Sequence, residues 1–433
     1  MTDSRGIVAA DANRIAAMHT FTLIFLFALG FSLALRLWLA QRHVDFVRRH
    51  RNQVPDEFHG SMPLDSHQKA ADYTASKTRF GMLDACVDAL LLLIWTLGGG
   101  LNLVDQAWRS LGAGPLFGGA GVIVSVLLIC AVLDLPTSIY RTFALEKSFG
   151  FNRTTVTLFV TDLCKSATLA LIIGAPLILL VLWLMESSGD YWWLYVWAVW
   201  TAFGFLMTWA YPTLIAPLFN KFSALDDVDL RNRIQQLLER CGFQSKGVFV
   251  MDGSRRSAHG NAYFTGVGRN KRIVFFDTLM ETLTPAEIES VLAHELGHFK
   301  RNHVKKRLLF MMVYSLAALA LLAWLMEQTW FYSALGVSEP SVYMGLLLFM
   351  MVGPVFGFFT RPFMAWWSRK HEYEADEFAA EQSDARSLVT ALVSLYKENA
   401  STLTPDPLHS AVYDSHPPAA QRIAHLAAMG RSA

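Results

Sequence analysis

The sequence predicts a mainly α-helical, polytopic membrane protein that also carries a small α+β module. Hydrophobic residues make up 53% of the 433 residues and charged residues only 17%, which is unlike a typical soluble protein. Long apolar runs recur along the chain, and a polar segment between two of them contains the pattern His294-Glu295-Leu296-Gly297-His298. The net charge of +1 argues against a nucleic-acid partner and leaves the lipid bilayer as the expected surroundings.

About seven apolar runs are long enough to cross the roughly 30 Å hydrocarbon core of a bilayer, which takes about 20 helical residues. The first run continues into a basic stretch without a small-residue cleavage site, so we expect a retained anchor rather than a removed signal peptide. The predicted spans are Thr20–Leu39, Met82–Leu103, Pro115–Leu135, Ala167–Met185, Tyr191–Leu218, Leu308–Met326 and Val342–Phe363.

Lysine and arginine are unevenly distributed over the connecting loops. They are concentrated after the first, third and seventh spans, whereas the loops after the second, fourth and sixth spans carry almost none. Because cytoplasmic loops are enriched in basic residues, the first set is predicted to be cytoplasmic and the N terminus to be outside. The segment 220–307, which contains the His-Glu pattern, is then cytoplasmic as well.

The polar segment after the fifth span has the pattern of an α+β unit. Asp229–Cys241 has helical periodicity and is followed by Gly242, a natural helix C-cap, while Gly247–Met251 and Arg272–Phe276 are short β-rich runs. After the last span, Trp366–Leu395 is predicted to form one long helix. We therefore divide the chain into a membrane region with five spans (1–218), a catalytic insert (219–307), two further spans (308–364) and a C-terminal catalytic helix and tail (365–433).

The segment His294–His298 is the strongest chemical signal in the chain. Two His residues four apart project from one face of a helix and can bind one metal ion, with Glu295 beside them as a general base. Thr284 is placed as an N-cap three residues before Glu287, which predicts an amphipathic helix that carries the motif. This arrangement is typical of zinc proteases. The alternative is a pair of solvated His side chains that are salt-bridged to Glu295.

Zinc in a catalytic site usually has three protein ligands, so the two His residues require a third. The metzincin pattern does not supply it, because Val304 occupies the position of the third His and His303 is one residue off register. Glu372 and Asp376 share one helix face further along the chain, and Glu374 points away from that face. They fit a ligand and a hydrogen-bond partner of a ligand His, or alternatively an ordinary exposed acidic face.

Acidic residues also occur at membrane depth, where charges are costly and usually face an interior or a partner. Such side chains fit a water-filled chamber enclosed by the spans, although several could instead lie at span ends in the headgroup region. These residues are Asp84, Asp88, Asp134, and Asp162 with Lys165.

Motifs spread over almost the whole chain resemble those of one protease family. They are His294–His298 with Asn302-His303, the Glu372–Asp376 cluster, Phe219-Asn220-Lys221-Phe222, Asn261-Ala262-Tyr263, and Ser415-His416-Pro417-Pro418 followed by Arg422. Together with the layout of the spans, this set resembles the type I CAAX prenyl endopeptidases, which are integral-membrane zinc metalloproteases.

The resemblance implies an intramembrane chamber with a zincin-like active site at its cytoplasmic end. Zinc would activate a water molecule, Glu295 would take its proton, and a side chain near the scissile carbonyl would stabilise the oxyanion. The roles that the resemblance implies are zinc ligands for His294, His298 and Glu372, catalytic roles for Glu295, Asp376 and His416, and substrate-binding roles for Asn261, Ala262, Tyr263 and Arg422.

These observations predict a membrane zinc metalloendopeptidase, with one Zn2+ per chain, that cuts peptide or protein substrates, including lipidated ones, near their C terminus. Two alternatives remain open: a quality-control metalloprotease with no prenyl requirement, and a channel or transporter with a vestigial zinc site. The chain ends Arg431-Ser432-Ala433 without a retention signal or a lipidation motif. We therefore expect a bacterial inner membrane, or the endoplasmic reticulum if the protein is eukaryotic.

Overall fold

The N-terminal half of the protein is a series of long helices joined by short loops. The computed structural model describes residues 4–265 and 271–430, so the terminal residues Arg431–Ala433 and Gly266 lie outside the described residues. The helices of this half are α1 (Ser4–Arg49), α2 (Leu64–Trp95), α3 (Gly100–Ser110), α4 (Gly114–Tyr140), α5 (Val156–Ser187), α6 (Trp192–Ala210) and α7 (Ala216–Phe219).

The insert that follows contains a mixed four-stranded sheet. Its elements are β1 (Phe222–Ala224), α8 (Val228–Cys241), β2 (Ser245–Met251), β3 (Ala262–Thr265), β4 (Lys271–Phe276), α9 (Asp277–Thr282) and α10 (Pro285–Lys300). The strand order is β1-β2-β4-β3, with β2 parallel to β4 and with β3 antiparallel to β4 at the edge. The two predicted strands are confirmed as β2 and β4, and Gly242 caps α8 with a φ of 71°.

The C-terminal part returns to the membrane and then back to the insert. Its helices are α11 (His303–Met326), α12 (Thr329–Ser333), α13 (Val342–Gly357), α14 (Arg361–Gln382), α15 (Ala385–Glu398), α16 (Pro407–Tyr413) and α17 (Ala419–Gly430). The prediction of one helix over Trp366–Leu395 is wrong. Ser383 is extended and Asp384 caps α15 by accepting hydrogen bonds from the N–H groups of Arg386 and Ser387. This break turns α15 back against α10.

The described residues contain 6 helices that are long and apolar enough to span a membrane, and the bent pair α2–α3 gives a seventh if it counts as one span. The predicted continuous span Met82–Leu103 is therefore wrong in its detail. α2 ends at Trp95, and the chain bends by 48° into α3. The physical reason is local, because Gly99 adopts a φ of 79° that residues with a side chain rarely adopt.

Acidic side chains line a cavity of about 470 Å³ that lies between α1, α2, α4 and α13. Asp84, Asp88 and Asp134 face this cavity, and Arg141 pairs with Asp84 at 2.6 Å. These three acids thus line a cavity between the spans, which agrees with the first of the two alternatives. Asp162 differs, because its carboxylate accepts hydrogen bonds from the guanidinium of Arg256 and thereby ties the insert to α5.

The catalytic part has its own apolar core, which lies between the sheet and the helices α8, α10, α14 and α15. Leu292 and Leu296 of α10 are 2% and 0% exposed, respectively. Burial of one such side chain contributes about 1.5 to 3 kcal/mol. The opposite face of α10 carries the His pair, so the core fixes the direction in which both imidazoles point.

Candidate active site

The helix α10 begins where the sequence predicts and presents both His residues on one face. Thr284 Oγ1 accepts a hydrogen bond from the N–H of Glu287, and Glu287 Oε2 accepts one from the N–H of Thr284 at 2.8 Å. This capping box confirms the predicted start of the helix and contributes about 1 kcal/mol. His298 follows His294 by four positions, about one helical turn, which places their imidazoles side by side.

A close contact between α10 and α14 brings the carboxylates to the His pair. A Cβ atom at Gly297 would lie 3.0 Å from Ala375 Cα, so the absence of a side chain permits this approach. Ala375 stands between Glu372 and Asp376 on α14, and both acids are buried. The alternative of an exposed acidic face for these two acids is therefore excluded by their burial.

Three side chains converge as a candidate metal centre. The ligand atoms of His294, His298 and Glu372 all lie within 4.8 Å of one another. His298 Nε2 is 3.3 Å from both His294 Nε2 and Glu372 Oε1. Ligands about 2.0 Å from a tetrahedral zinc ion are about 3.3 Å apart, so the spacing fits zinc. Glu372 Oε2 is buried and has no hydrogen-bond partner among the described residues, as is typical of an atom that binds a metal.

Asp376 and Arg422 hold His294 through its Nδ1 atom, on the other side of the ring from the metal centre. His294 Nδ1 donates to Asp376 Oδ1 at 2.8 Å, and the guanidinium of Arg422 donates to both oxygens of Asp376. Burial lowers the pKa of His294, but its hydrogen bonds to Asp376 and Glu372 outweigh burial and raise the pKa to about 9. A metal ion held by His294 would therefore have to displace a proton from this side chain.

A second chain of contacts holds His298, and the sequence did not reveal it. His298 Nδ1 is 3.1 Å from His303 Nδ1, and His303 Nε2 donates to Glu374 Oε2 at 2.9 Å. Because ionised Glu374 only accepts hydrogen bonds, His303 Nδ1 is left to accept from the Nδ1–H of His298. His298 Nε2 then faces the metal centre with its lone pair. His303 fails the metzincin register but supports a ligand instead.

Replacing His303 with Ala is expected to weaken zinc binding by about 10- to 100-fold, because the ring of His298 loses the partner that orients it. The dissociation constant of zinc, measured by competition with a chelator on the purified protein, tests this expectation. His59→Ala removes an exposed imidazole elsewhere and serves as the matched control. An unchanged zinc affinity in His303→Ala would show that His303 does not act on His298.

The motif Asn261-Ala262-Tyr263 lies at the start of the edge strand β3. The carbonyl of Asn261 accepts a hydrogen bond from Phe276 N–H, and the register of β3 with β4 begins at Ala262. Among the described residues, only one edge of β3 is paired in the strand order β1-β2-β4-β3. The other edge carries backbone groups to which an extended peptide can add. Asn261 and Ala262 line a pocket together with His294 and Glu295.

Asn399 fixes the approach to this strand, and sequence reasoning did not single it out. Its side-chain oxygen accepts from the N–H of Gly260 at 3.1 Å, and its amide nitrogen donates to the carbonyl of Gly260 at 3.3 Å. Asn399 follows α15 and is 139 residues away from Gly260 in the sequence. A contact over this distance leaves no local signal in the sequence.

His416 and Glu295 lie at the open side of the centre. His416 Nε2 is 3.5 Å from Glu372 Oε2, and 60% of its side chain is exposed. Glu295 lines the cavity that contains His298, Glu372 and His416. The structure thus brings nine of the ten residues that the sequence singles out to the metal centre or to the cavities beside it. Tyr263 belongs to the same edge strand, but its ring packs against Phe276.

Comparison with known proteins agrees with this geometry. Residues 43–221 match the family model of the N-terminal region of CAAX prenyl protease, which has five membrane helices, and residues 224–430 match peptidase family M48. The CAAX prenyl protease 1 homolog of Arabidopsis thaliana is 33% identical over 386 residues, which cover 86% of this chain and 89% of that protein.

A second relative and a solved structure agree. CAAX prenyl protease 1 of Saccharomyces cerevisiae is 36% identical over 315 residues, which cover 69% of each chain. The crystal structure of S. mikatae Ste24p has a TM-score of 0.86 and 30% identity, and the superposition covers 94% of this chain and 98% of that one. By fold, by site and by sequence, the chain belongs to the CAAX prenyl protease family within peptidase family M48.

Proposed function

We propose that this membrane metalloprotease uses zinc and cuts CAAX-type substrates, which carry a prenyl group on a cysteine near their C terminus. The observation that supports zinc is the spacing of about 3.3 to 3.5 Å between the ligand atoms of His294, His298 and Glu372. The substrate class comes from the printed names of the relatives, which are CAAX prenyl proteases. Because the chain belongs to a protease family, we set aside the alternative of a channel or transporter.

Zinc in this site would act as a Lewis acid and would lower the pKa of a bound water molecule. Glu295 accepts the proton of the attacking water and passes it to the leaving amine. His416, which is exposed beside Glu372, donates a hydrogen bond to the developing oxyanion. Asp376 has both oxygens engaged by His294 and Arg422, so we assign it the orientation of His294 rather than proton donation.

The open edge of β3 binds the substrate backbone. An extended peptide that pairs there satisfies its main-chain groups on the backbone of Ala262 and Tyr263, which leaves the choice of side chains loose. Asn399 keeps the start of the strand in place through Gly260. The prenyl group then adds the selectivity that backbone pairing lacks.

A prenylated peptide is expected to be cut faster than the same peptide without its lipid. The lipid adds buried apolar surface, and each buried CH₂ group contributes about 0.8 kcal/mol. Values of kcat/KM for both peptides, measured on one preparation in detergent micelles, test the substrate class. Equal values would still support a protease, but they would contradict a requirement for a prenyl group and would favour a quality-control role.

We also place the active site on the cytoplasmic face, because the loops on its side carry most of the basic residues. A cysteine that replaces the exposed Gln236 in α8 is expected to resist an impermeant thiol reagent in intact cells, whereas one that replaces the exposed Asp190 is expected to react. The exposed Cys86 and Cys164 are first changed to Ser. Rapid labelling at position 236 would show that the insert faces the outside and would contradict the proposed topology. The relatives named above are eukaryotic, and the bacterial inner membrane stays a prediction.

A further inference from the structure

Two cavities meet the edge strand β3 at opposite ends. Beyond Phe264 lies a cavity of about 610 Å³, where apolar side chains such as Phe299 and Trp367 stand near the membrane helices. At the Asn261 end lies a cavity of about 850 Å³, which is bounded on its far side by α2. The first cavity contains the metal centre, and His416, which lines both cavities, marks the place where they meet.

The cavity at the Asn261 end is lined by a cation that the proposed mechanism does not use. Lys77 of α2 lines it, together with Thr74, Ser257 and Asn399. The ammonium of Lys77 lies 5.3 Å from the centre of the Tyr73 ring. No ion pair of Lys77 occurs within residues 4–265 and 271–430.

Two acidic residues lie near Lys77, and neither forms an ion pair with it among the described residues. Glu146 accepts a hydrogen bond from the hydroxyl of Tyr73 at 2.7 Å and lies 3.5 Å from His259. Asp414 also lines the cavity. Lys77 is therefore a cation that faces the cavity and is available to an anionic ligand.

The chemistry of a CAAX-type substrate assigns one end of the peptide to each cavity. Prenylation modifies the cysteine of the motif, so a cut within the motif leaves the lipid on the N-terminal side and releases residues that end in the α-carboxylate. The lipid suits the cavity beyond Phe264, where Phe299 and Trp367 stand near the membrane helices, and the carboxylate suits the cavity that Lys77 lines. The substrate then runs antiparallel to β3, with its C-terminal residues beyond Asn261.

We propose that the cavity between α2 and the Asn261 end of β3 binds the residues C-terminal to the scissile bond, and that Lys77 pairs with the substrate α-carboxylate. This inference rests on the proposed function, because it assumes a substrate that is cut close to its free C terminus. It gives the protease a means of recognising a chain end without reading the side chains. Lys77 is then a specificity-determining residue outside the metal centre.

The test compares prenylated peptides that differ only at the C terminus, one with a free carboxylate and one with a carboxamide. We expect the wild-type protein to prefer the carboxylate by about two- to fivefold in kcat/KM, the range for an exposed ion pair. In Lys77→Gln the preference is expected to disappear through a slower reaction of the carboxylate peptide alone. Lys77→Arg is expected to retain it. Unchanged cleavage of the carboxamide peptide reports that the variant is folded.

Arg361 supplies the matched control at the other cavity. It lines the cavity beyond Phe264 and stacks on Tyr413 at 5.6 Å, so it is the cation that a peptide of opposite direction would meet. Arg361→Gln is expected to keep the preference for the carboxylate. Loss of the preference in Arg361→Gln, its persistence in Lys77→Gln, or its absence in the wild type overturns the inference. Failure of the wild type to cut either peptide instead overturns the proposed function.

Discussion

Replacing Glu295 with Gln is expected to reduce turnover by about 10² to 10⁴-fold without a loss of zinc. The amide has nearly the same shape as the carboxylate but cannot accept the proton of the attacking water. Glu295 is not one of the three converging ligands, so the metal centre stays intact in this variant. Zinc content by elemental analysis and cleavage of a prenylated peptide must be measured on the same preparation.

The matched control for Glu295 is another acid on the same helix. Glu289 pairs with Arg233 at 3.0 Å and with Arg240 at 2.8 Å on the surface of the insert. Glu289→Gln is expected to change turnover little, because Glu289 lies outside the cavities of the metal centre and an amide oxygen can still accept a hydrogen bond from an Arg side chain. Full activity of a zinc-loaded Glu295→Gln protein would refute the assignment of Glu295 as the base.

Replacing Glu372 with Ala is expected to remove zinc and activity together. The variant loses the carboxylate that lies between the two imidazoles, with Oε1 3.3 Å from His298 and Oε2 3.5 Å from His294. The two remaining His residues are too few, because a catalytic zinc site usually has three protein ligands. The expected zinc content at equal total metal is near zero, and turnover falls by at least about 10²-fold.

Glu381 lies on the same helix and is exposed, which makes Glu381→Ala the control for helix stability and charge. That variant is expected to bind zinc as the wild type does. Added excess zinc that restored full activity to Glu372→Ala would show that its carboxylate only tunes affinity. Zinc content equal to wild type in Glu372→Ala, with a loss in Glu374→Ala, would show that the other acid is the ligand.

Local signals account for what the sequence predicted correctly. The helix α10 is specified by Thr284, Glu287 and an apolar face within 16 residues, so its start and the shared face of its His pair follow from near neighbours. The strands β2 and β4 are likewise continuous β-rich runs. Helix breaks were harder to predict. Gly99 has a left-handed backbone and Ser383 an extended one, and each lies at a helix break in a segment whose composition favours continuation of the helix.

Contacts over long distances account for what the sequence left out. His303 appeared only as a residue off register, yet its ring bridges His298 and Glu374, which lies 71 positions further along. Asn399 had no motif at all and became important only through Gly260. The cavity between α2 and the Asn261 end of β3 exists because α2 of the membrane region approaches the insert.

The sequence by itself determined that this chain spans the membrane and carries a His-Glu metal motif, because both properties are written in composition and in spacing along one helix. It also placed Glu372 and Asp376 on a shared helix face, but it left open whether that face is buried. Only the tertiary structure decided this point. The contact of Gly297 with Ala375 closes α10 against α14 and directs the carboxylates inward. Packing of this kind depends on atoms far apart in sequence, and no local pattern encodes it.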